Sequence, residues 1–341
     1  MKILISGAGI AGPSVAFWLQ LHGFQPTIVE RAPRLRAGGY IIDFWGAGFD
    51  VADRMGLVPQ ILQRGYRFTE VREVDLSGKR VGGFAVRAFE RMSGGRFTSL
   101  PRSDLAALIF HALGDRVETI FDDSIRAVEH RDGGVRVRFE RTPPRIFDLV
   151  IGADGLHSQV RRLVFGEETR FERYLELKVA AFSVSGYHPR DELVYVTHTG
   201  VGQQIGRFAM RDDRTMFLFV FRDGDPDIPG DLAGQKDLLR ERFSGSGWEC
   251  PRILDALNDV DSLYIDRVSQ IRMDRWTQAR VALVGDAAFC VSLLGGQGSA
   301  LAMVAAYILA GELKRANGDH AAAFARYQER LGVFIAGKQQ A

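Results

Sequence analysis

The chain has 341 residues, 46% of them hydrophobic and 25% charged, with a formal net charge of +2. That is ordinary globular composition, long enough for one large domain plus a smaller one and able to bury roughly three quarters of its unfolded surface. No basic run interleaved with aromatics points to nucleic acid. The two cysteines, Cys250 and Cys290, stand forty residues apart with no histidine pair nearby, so they make neither a disulfide framework nor a metal site and suit a reducing cytoplasm.

In chain order, residues 2–6 read as a short buried strand, followed by a glycine-rich turn and a helix over 10–21 that carries Val15, Trp18 and Leu19 on one face and stops at Gly23. Lys2 and the apolar stretch behind it imitate a signal peptide, but Gly7, Gly9 and Gly12 interrupt the stretch and no cleavage pattern follows. Residues 27–30 are a second strand, completing a βαβ unit and opening a parallel sheet. From 65 to 98 the texture turns antiparallel, with alternating runs at 71–76 and 81–84 around Ser77-Gly78.

Helical spacing returns at 103–113, where Leu105, Leu108, Ile109 and Ala112 share a face. Strand-like pieces follow at 117–121, 125–130 and 135–140, the last two joined by Asp132-Gly133-Gly134 as a hairpin. Residues 148–153 are another buried strand, ending in Asp154-Gly155. Residues 171–271 again read as alternating, with Phe217 to Phe221 the most apolar run. Residues 279–284 resume the buried-strand style, and helices are expected over 298–313 and 320–334. The apolar region 281–309 falls short of the about 20 uninterrupted residues a membrane span needs, because Asp286, Gln297 and four glycines break it. No stable membrane insertion is expected.

Three constellations carry chemistry. In the first, Gly7-Ala8-Gly9-Ile10-Ala11-Gly12, Gly7 permits the tight turn, Gly9 lets backbone approach a pyrophosphate and Gly12 lets the helix pack on the strand. The helix start adds unpaired N–H groups and partial positive charge for phosphates, and Pro13 sits where a missing N–H costs little. Glu30, eighteen residues beyond Gly12, is placed to accept hydrogen bonds from an adenosine ribose, with Arg31 beside it. Alone this motif does not separate FAD from NAD. In the second, the strand over 148–153 runs into Asp154, with Ser158 and Arg161 beyond. In the third, Gly285-Asp286-Ala287-Ala288-Phe289 leads to Gly295-Gly296-Gln297-Gly298-Ser299 and a helix.

These motifs, in this order and over essentially the whole chain, resemble the group A FAD-dependent aromatic monooxygenases of the para-hydroxybenzoate hydroxylase fold. The resemblance implies an α/β protein, with a Rossmann-like FAD-binding domain (residues 1–70, 99–170 and 272–341) interleaved with an antiparallel β-sheet substrate domain (71–98 and 171–271). It implies FAD contacts from Gly7, Gly9, Ala11, Gly12, Glu30, Arg31, Gly39, Arg102, Asp154, Asp286, Gly295, Gln297, Gly298 and Ser299. Asp154 would lie near the pyrophosphate, in a motif also implicated in NAD(P)H use, and Asp286 would hold the ribityl chain. A helix start near the flavin pyrimidine edge would stabilise the negative charge of the reduced ring. Arg102 and Gly38-Gly39 resemble weaker family elements beside the flavin. Two departures stand out: Phe289 replaces a common histidine and Ser292 a common proline, whose carbonyl near flavin C4a Ser292 still offers, with a hydroxyl besides.

The implied reaction is hydroxylation of an aromatic or polyketide-like small molecule, with NAD(P)H as cosubstrate and dioxygen adding at flavin C4a to give a hydroperoxide. No side-chain nucleophile is required. Phe182, Phe208, Met210, Phe217, Phe219 and Phe221 are candidates to line the substrate pocket, with Arg207 or His198 to orient a phenolate. A cytoplasmic monomer or homodimer is expected. An NAD-dependent dehydrogenase and a FAD-binding redox protein without hydroxylase activity remain the alternatives. Tetracycline-inactivating relatives share all three motifs, so that substrate stays open.

Overall fold

The computed structural model describes residues 1–36 and 38–340. Its first sheet has the order Thr277–Gln278, Val281–Leu283, Leu149–Gly152, Lys2–Ser6, Gln25–Glu30, Glu118–Phe121, parallel except for the Thr277–Gln278 edge. The inner strands Val281–Leu283, Leu149–Gly152 and Lys2–Ser6 are almost wholly buried apolar runs because helices cover the sheet, as parallel sheets require. The register sets where the chemistry-bearing turns emerge: Ser6 lies opposite Gly152, and Gly152 opposite Leu283. Three neighbouring strands therefore end level, and the three turns leave the sheet side by side at its carboxyl edge.

Helix Ala11–Leu21 packs against helix Gly298–Arg315, and His320–Gln340 closes the same core behind them. A three-stranded antiparallel sheet, Ile125–Arg131, Gly134–Phe139 and Arg145–Phe147, sits on this body, with Gly133 at φ +82° in its hairpin turn. Among the described residues no helix is long and apolar enough to cross a membrane.

The second large sheet has the order Tyr264–Ile271, Glu172–Ser185, Arg214–Arg222, Gln203–Ala209, Val194–Gly200, Glu70–Val74, Arg80–Ala85. It is antiparallel apart from the pairing of Val194–Gly200 with Glu70–Val74. A two-stranded ribbon, Ile41–Trp45 with Phe97–Pro101, stands between the two bodies, and its Ile41 packs with Tyr66, Phe68, Phe208 and Met216.

The α/β class with an interleaved antiparallel sheet is as expected, but 171–271 is not wholly strand. It contains helices Leu232–Phe243 and Cys250–Ala256, the first capped by the Asp231 carboxylate accepting from the Gly234 N–H at 2.8 Å. Gly234 and a stripe reduced to Leu238, Leu239 and Phe243 hide the helical period. Helices Ala47–Arg54, Val58–Arg64 and Arg87–Met92 are likewise too short to show a period in the sequence.

These helices correct the pocket assignment. Phe182, Phe217, Phe219 and Phe221 lie on the sheet face that Leu239 and Phe243 cover, in a closed core. Arg207 and His198 are also engaged elsewhere: Arg207 pairs with Glu249 and Asp191, and the His198 ring bonds the Val74 carbonyl at 3.0 Å. Phe208 and Met210 belong to the opposite face, toward the ribbon, together with Met216 and Tyr195.

Candidate cofactor cleft

The glycine turn is set by close approach. Gly7 has φ +102°, and a β-carbon there would stand 2.6 Å from the Ala153 carbonyl oxygen; one on Gly12 would stand 1.9 Å from the Gly7 oxygen. Gly9 differs, since a β-carbon there meets nothing within 4 Å. No protein contact demands glycine at position 9: the space over its Cα is open. The helix behind it has no side-chain cap at Ile10, leaving its first N–H groups free for an anion. Glu30 accepts from the Ala8 N–H at 2.7 Å and the Ala32 N–H at 2.9 Å, so it straps the turn while a carboxylate's further lone pairs stay open. Arg31 is exposed beside it.

Asp154 follows the adjoining strand. It accepts from Ser158 Oγ at 2.5 Å, the Val160 N–H at 3.1 Å and Ser6 Oγ at 3.3 Å, while burial raises its pKa. Ser158 caps helix Gln159–Val164. Arg161 is wholly buried. Its guanidinium donates to Glu168 at 2.7 Å, to the Leu156 carbonyl at 2.6 Å and to the Ala287 carbonyl at 3.0 Å. It thus ties the Asp154 loop to the Asp286 loop across 126 residues of sequence.

At the third motif Gly285 has φ +66°, and a β-carbon on it would sit 3.3 Å from Ala11 Cβ and 3.2 Å from Ala302 Cβ. Asp286 is half-buried; burial raises its pKa, opposed by the Arg102 charge and the Cys290 thiol. Its Oδ1 lies 3.6 Å from where a Gly298 β-carbon would be. Helix Gly298–Arg315 starts at Gln297 without a side-chain cap, with Ser299 in its first turn. Gly295 is exposed in the lead-in. Ser292 is buried at φ +104°, and its hydroxyl accepts from the Leu294 N–H at 3.2 Å, which commits it to the turn.

Arg102 opens helix Arg102–His111 and donates its N–H to the Tyr40 carbonyl at 3.1 Å. Gly38 and Gly39 lead into Tyr40 at φ +85° and +99°. Tyr40 meets Tyr264 of the large sheet with ring centroids 5.2 Å apart, and burial pushes its phenol up to about 12. Motif reading missed this tyrosine pair, because Tyr264 reaches the cleft by tertiary folding alone. It also missed His157, whose ring contacts Glu168 at 2.8 Å and Asp266 at 3.2 Å.

Two uncapped helix starts, an open face over Gly9 and a carboxylate poised between them therefore converge. The arrangement fits an extended ligand with a pyrophosphate and hydroxyl donors, which FAD is. A surface cleft of about 620 Å³ lies at the opposite, amino-terminal end of the strands, around Lys2, Gln25 and Glu118. Open α/β sheets bind ligands at the carboxyl end instead.

A family model described as an FAD binding domain matches residues 1–328. A flavin-dependent monooxygenase from an unknown prokaryotic organism is 38% identical over 99% of this chain and 87% of its own length. Another, from Legionella longbeachae, is 34% identical over 100% of this chain and 87% of its own. Among solved structures, tetracycline destructase Tet(51) superposes with a TM-score of 0.88 at 36% identity, over 99% of this chain and 88% of that one. Tetracycline destructase Tet(55) gives 0.89 at 37%, over 99% and 87%.

Proposed function

The chain belongs to the FAD-binding family of group A aromatic monooxygenases, and from that membership we propose that it is an NAD(P)H-dependent monooxygenase acting on an aromatic or polyketide-like small molecule. The observation that supports this reading is the seating of Gly285 against Ala11, which brings the Asp286 loop against the start of the first helix.

In this reading Gly7, Gly9, Ala11 and Gly12 offer backbone N–H groups to the pyrophosphate, with Asp154 alongside. Glu30 and Arg31 serve the adenosine end. Asp286 accepts from ribityl hydroxyls, while Gly39, Arg102, Gly295, Gln297, Gly298 and Ser299 surround the ring end. FAD bound there supplies hydride acceptance from NAD(P)H and activation of dioxygen. The protein contributes orientation and exclusion of water. The seven-stranded sheet serves as the substrate wall, with Leu218 and Val220 half-exposed on the face that also carries Phe208 and Met216. That apolar wall, and likeness to two tetracycline destructases, support a polycyclic, oxygen-rich substrate.

The test is NAD(P)H oxidation by the FAD-reconstituted protein against a panel of phenols and polyketides, with mass analysis of the products. Substrate-stimulated oxidation with gain of one oxygen atom supports the proposal. FAD uptake without stimulation by any compound favours the redox-protein alternative.

A further inference from the structure

The last turn of helix His320–Gln340 reaches back to the cofactor cleft. Gln339 Nε2 donates to the Ile271 carbonyl at 2.7 Å and to the Cys290 carbonyl at 3.1 Å. Its backbone carbonyl accepts from Arg272 Nη2 at 2.6 Å and Gln270 Nε2 at 3.1 Å. Gln270 Nε2 also donates to the Val291 carbonyl at 3.3 Å, and Arg272 Nε holds Gln270 Oε1 at 2.9 Å. The Cys290 carbonyl accepts a second bond, from the Ile271 N–H at 3.0 Å.

Both carbonyls before Ser292 are thereby tied toward the sheet and the C-terminal helix. Ser292 then takes φ +104°, a conformation that non-glycine residues adopt only where their surroundings over-determine it. Immediately after it come the turn Leu293–Gly295 and the Gly298 helix start. The side-chain ties on these two carbonyls come from Gln270 and Gln339, beside the backbone bond from the Ile271 N–H.

We infer that Gln339 and Gln270 are positioning residues: by holding the Cys290 and Val291 carbonyls they fix the backbone of Ser292 and the ring end of the FAD site. This rests on the function proposed above. It makes the end of the C-terminal helix part of the cofactor site's supporting structure, so that small changes there alter flavin binding from outside the cleft.

The experiment compares the full-length protein with Gln339→Ala, Gln339→Glu, Gln270→Glu and the exposed neighbour Gln340→Ala, in FAD titrations followed by flavin fluorescence and visible absorbance. Thermal melts of the apoproteins are recorded in parallel. The two glutamates match glutamine in shape but carry no N–H to donate. Both, and Gln339→Ala, are expected to weaken FAD binding about fivefold or more, as for one lost hydrogen bond, and to shift the visible flavin bands. Gln340→Ala is expected to match wild type. Wild-type FAD affinity and spectrum in the glutamate variants, with only the melts altered, would reduce these residues to packing and overturn the inference. A wild-type chain that takes up no FAD would overturn the functional reading along with it.

Discussion

Gly285 and Ala11 stand against each other so closely that a β-carbon on the glycine would lie 3.3 Å from that of the alanine. They are 274 positions apart in the chain (285 minus 11), and their contact follows from three parallel strands ending level. Through it the first helix start and the Asp286 loop become walls of one cleft, which Arg161 braces from behind.

Glycines 9 and 12 should respond differently to the same substitution. Gly12→Ala places a methyl 1.9 Å from the Gly7 oxygen and must move backbone, at a cost of about 3 kcal/mol. Gly9→Ala meets only open space, so its melt should stay within about 0.5 kcal/mol of wild type. Its FAD affinity should nevertheless fall about tenfold or more, since the methyl occupies the ligand's approach. Melts and FAD titrations of both variants check this; undiminished FAD binding by Gly9→Ala would remove the pyrophosphate from this turn.

Asp286→Asn should separate stability from binding. Burial disfavours the charged carboxylate in the free protein, so the neutral amide should leave the melt unchanged or raise it. FAD affinity should drop about 10- to 100-fold, the range of hydrogen bonds to a charged acceptor. Equal FAD affinity in the variant would mean that Asp286 does not face the cofactor.

His157 links the cofactor body to the large sheet. Hydrogen bonds to Asp266 and then Glu168 raise its pKa from 6.5 to about 9. A raised folded-state pKa gives stability that is fully present below pH 6.5 and is lost as pH climbs through about 9. Urea midpoints should therefore decline across that window, and His157→Gln should flatten the decline. Because the side chain is 41% exposed, solvent screening keeps the effect small. Parallel profiles for the two proteins would show that the pair of contacts contributes nothing.

The faces of strand Arg214–Arg222 give a further contrast. Phe219 is fully buried against Phe243, with ring centroids 4.9 Å apart, so Phe219→Ala should cost about 3–5 kcal/mol and leave KM for an accepted substrate unchanged in the folded fraction. Leu218→Ala, on the half-exposed face, should cost little stability and change KM. Steady-state kinetics beside denaturant melts would detect the reverse pattern.

That strand also marks how far the sequence could be read. The βαβ start, the hairpin at Gly133 and the three motif loops were legible because glycine positions and buried runs carry local signals. Phe217 to Phe221 is apolar on both faces, so no alternation reveals which side meets the cleft; only the helix capped by Asp231 decides it. Tyr40, Tyr264, His157 and Gln339 were illegible for a related reason. Each acquires a partner from a distant strand or loop, as His157 does from Asp266, and nothing in its own neighbourhood announces that pairing.

The most direct test of the central claim is an FAD titration of the purified chain, monitored through the visible absorbance bands of the flavin. Saturation at one FAD per chain, with the midpoint moved to about tenfold or more higher FAD in Gly9→Ala and Asp286→Asn, is the predicted result. A protein that stays colourless after reconstitution, or binds FAD equally well in both variants, would contradict the account.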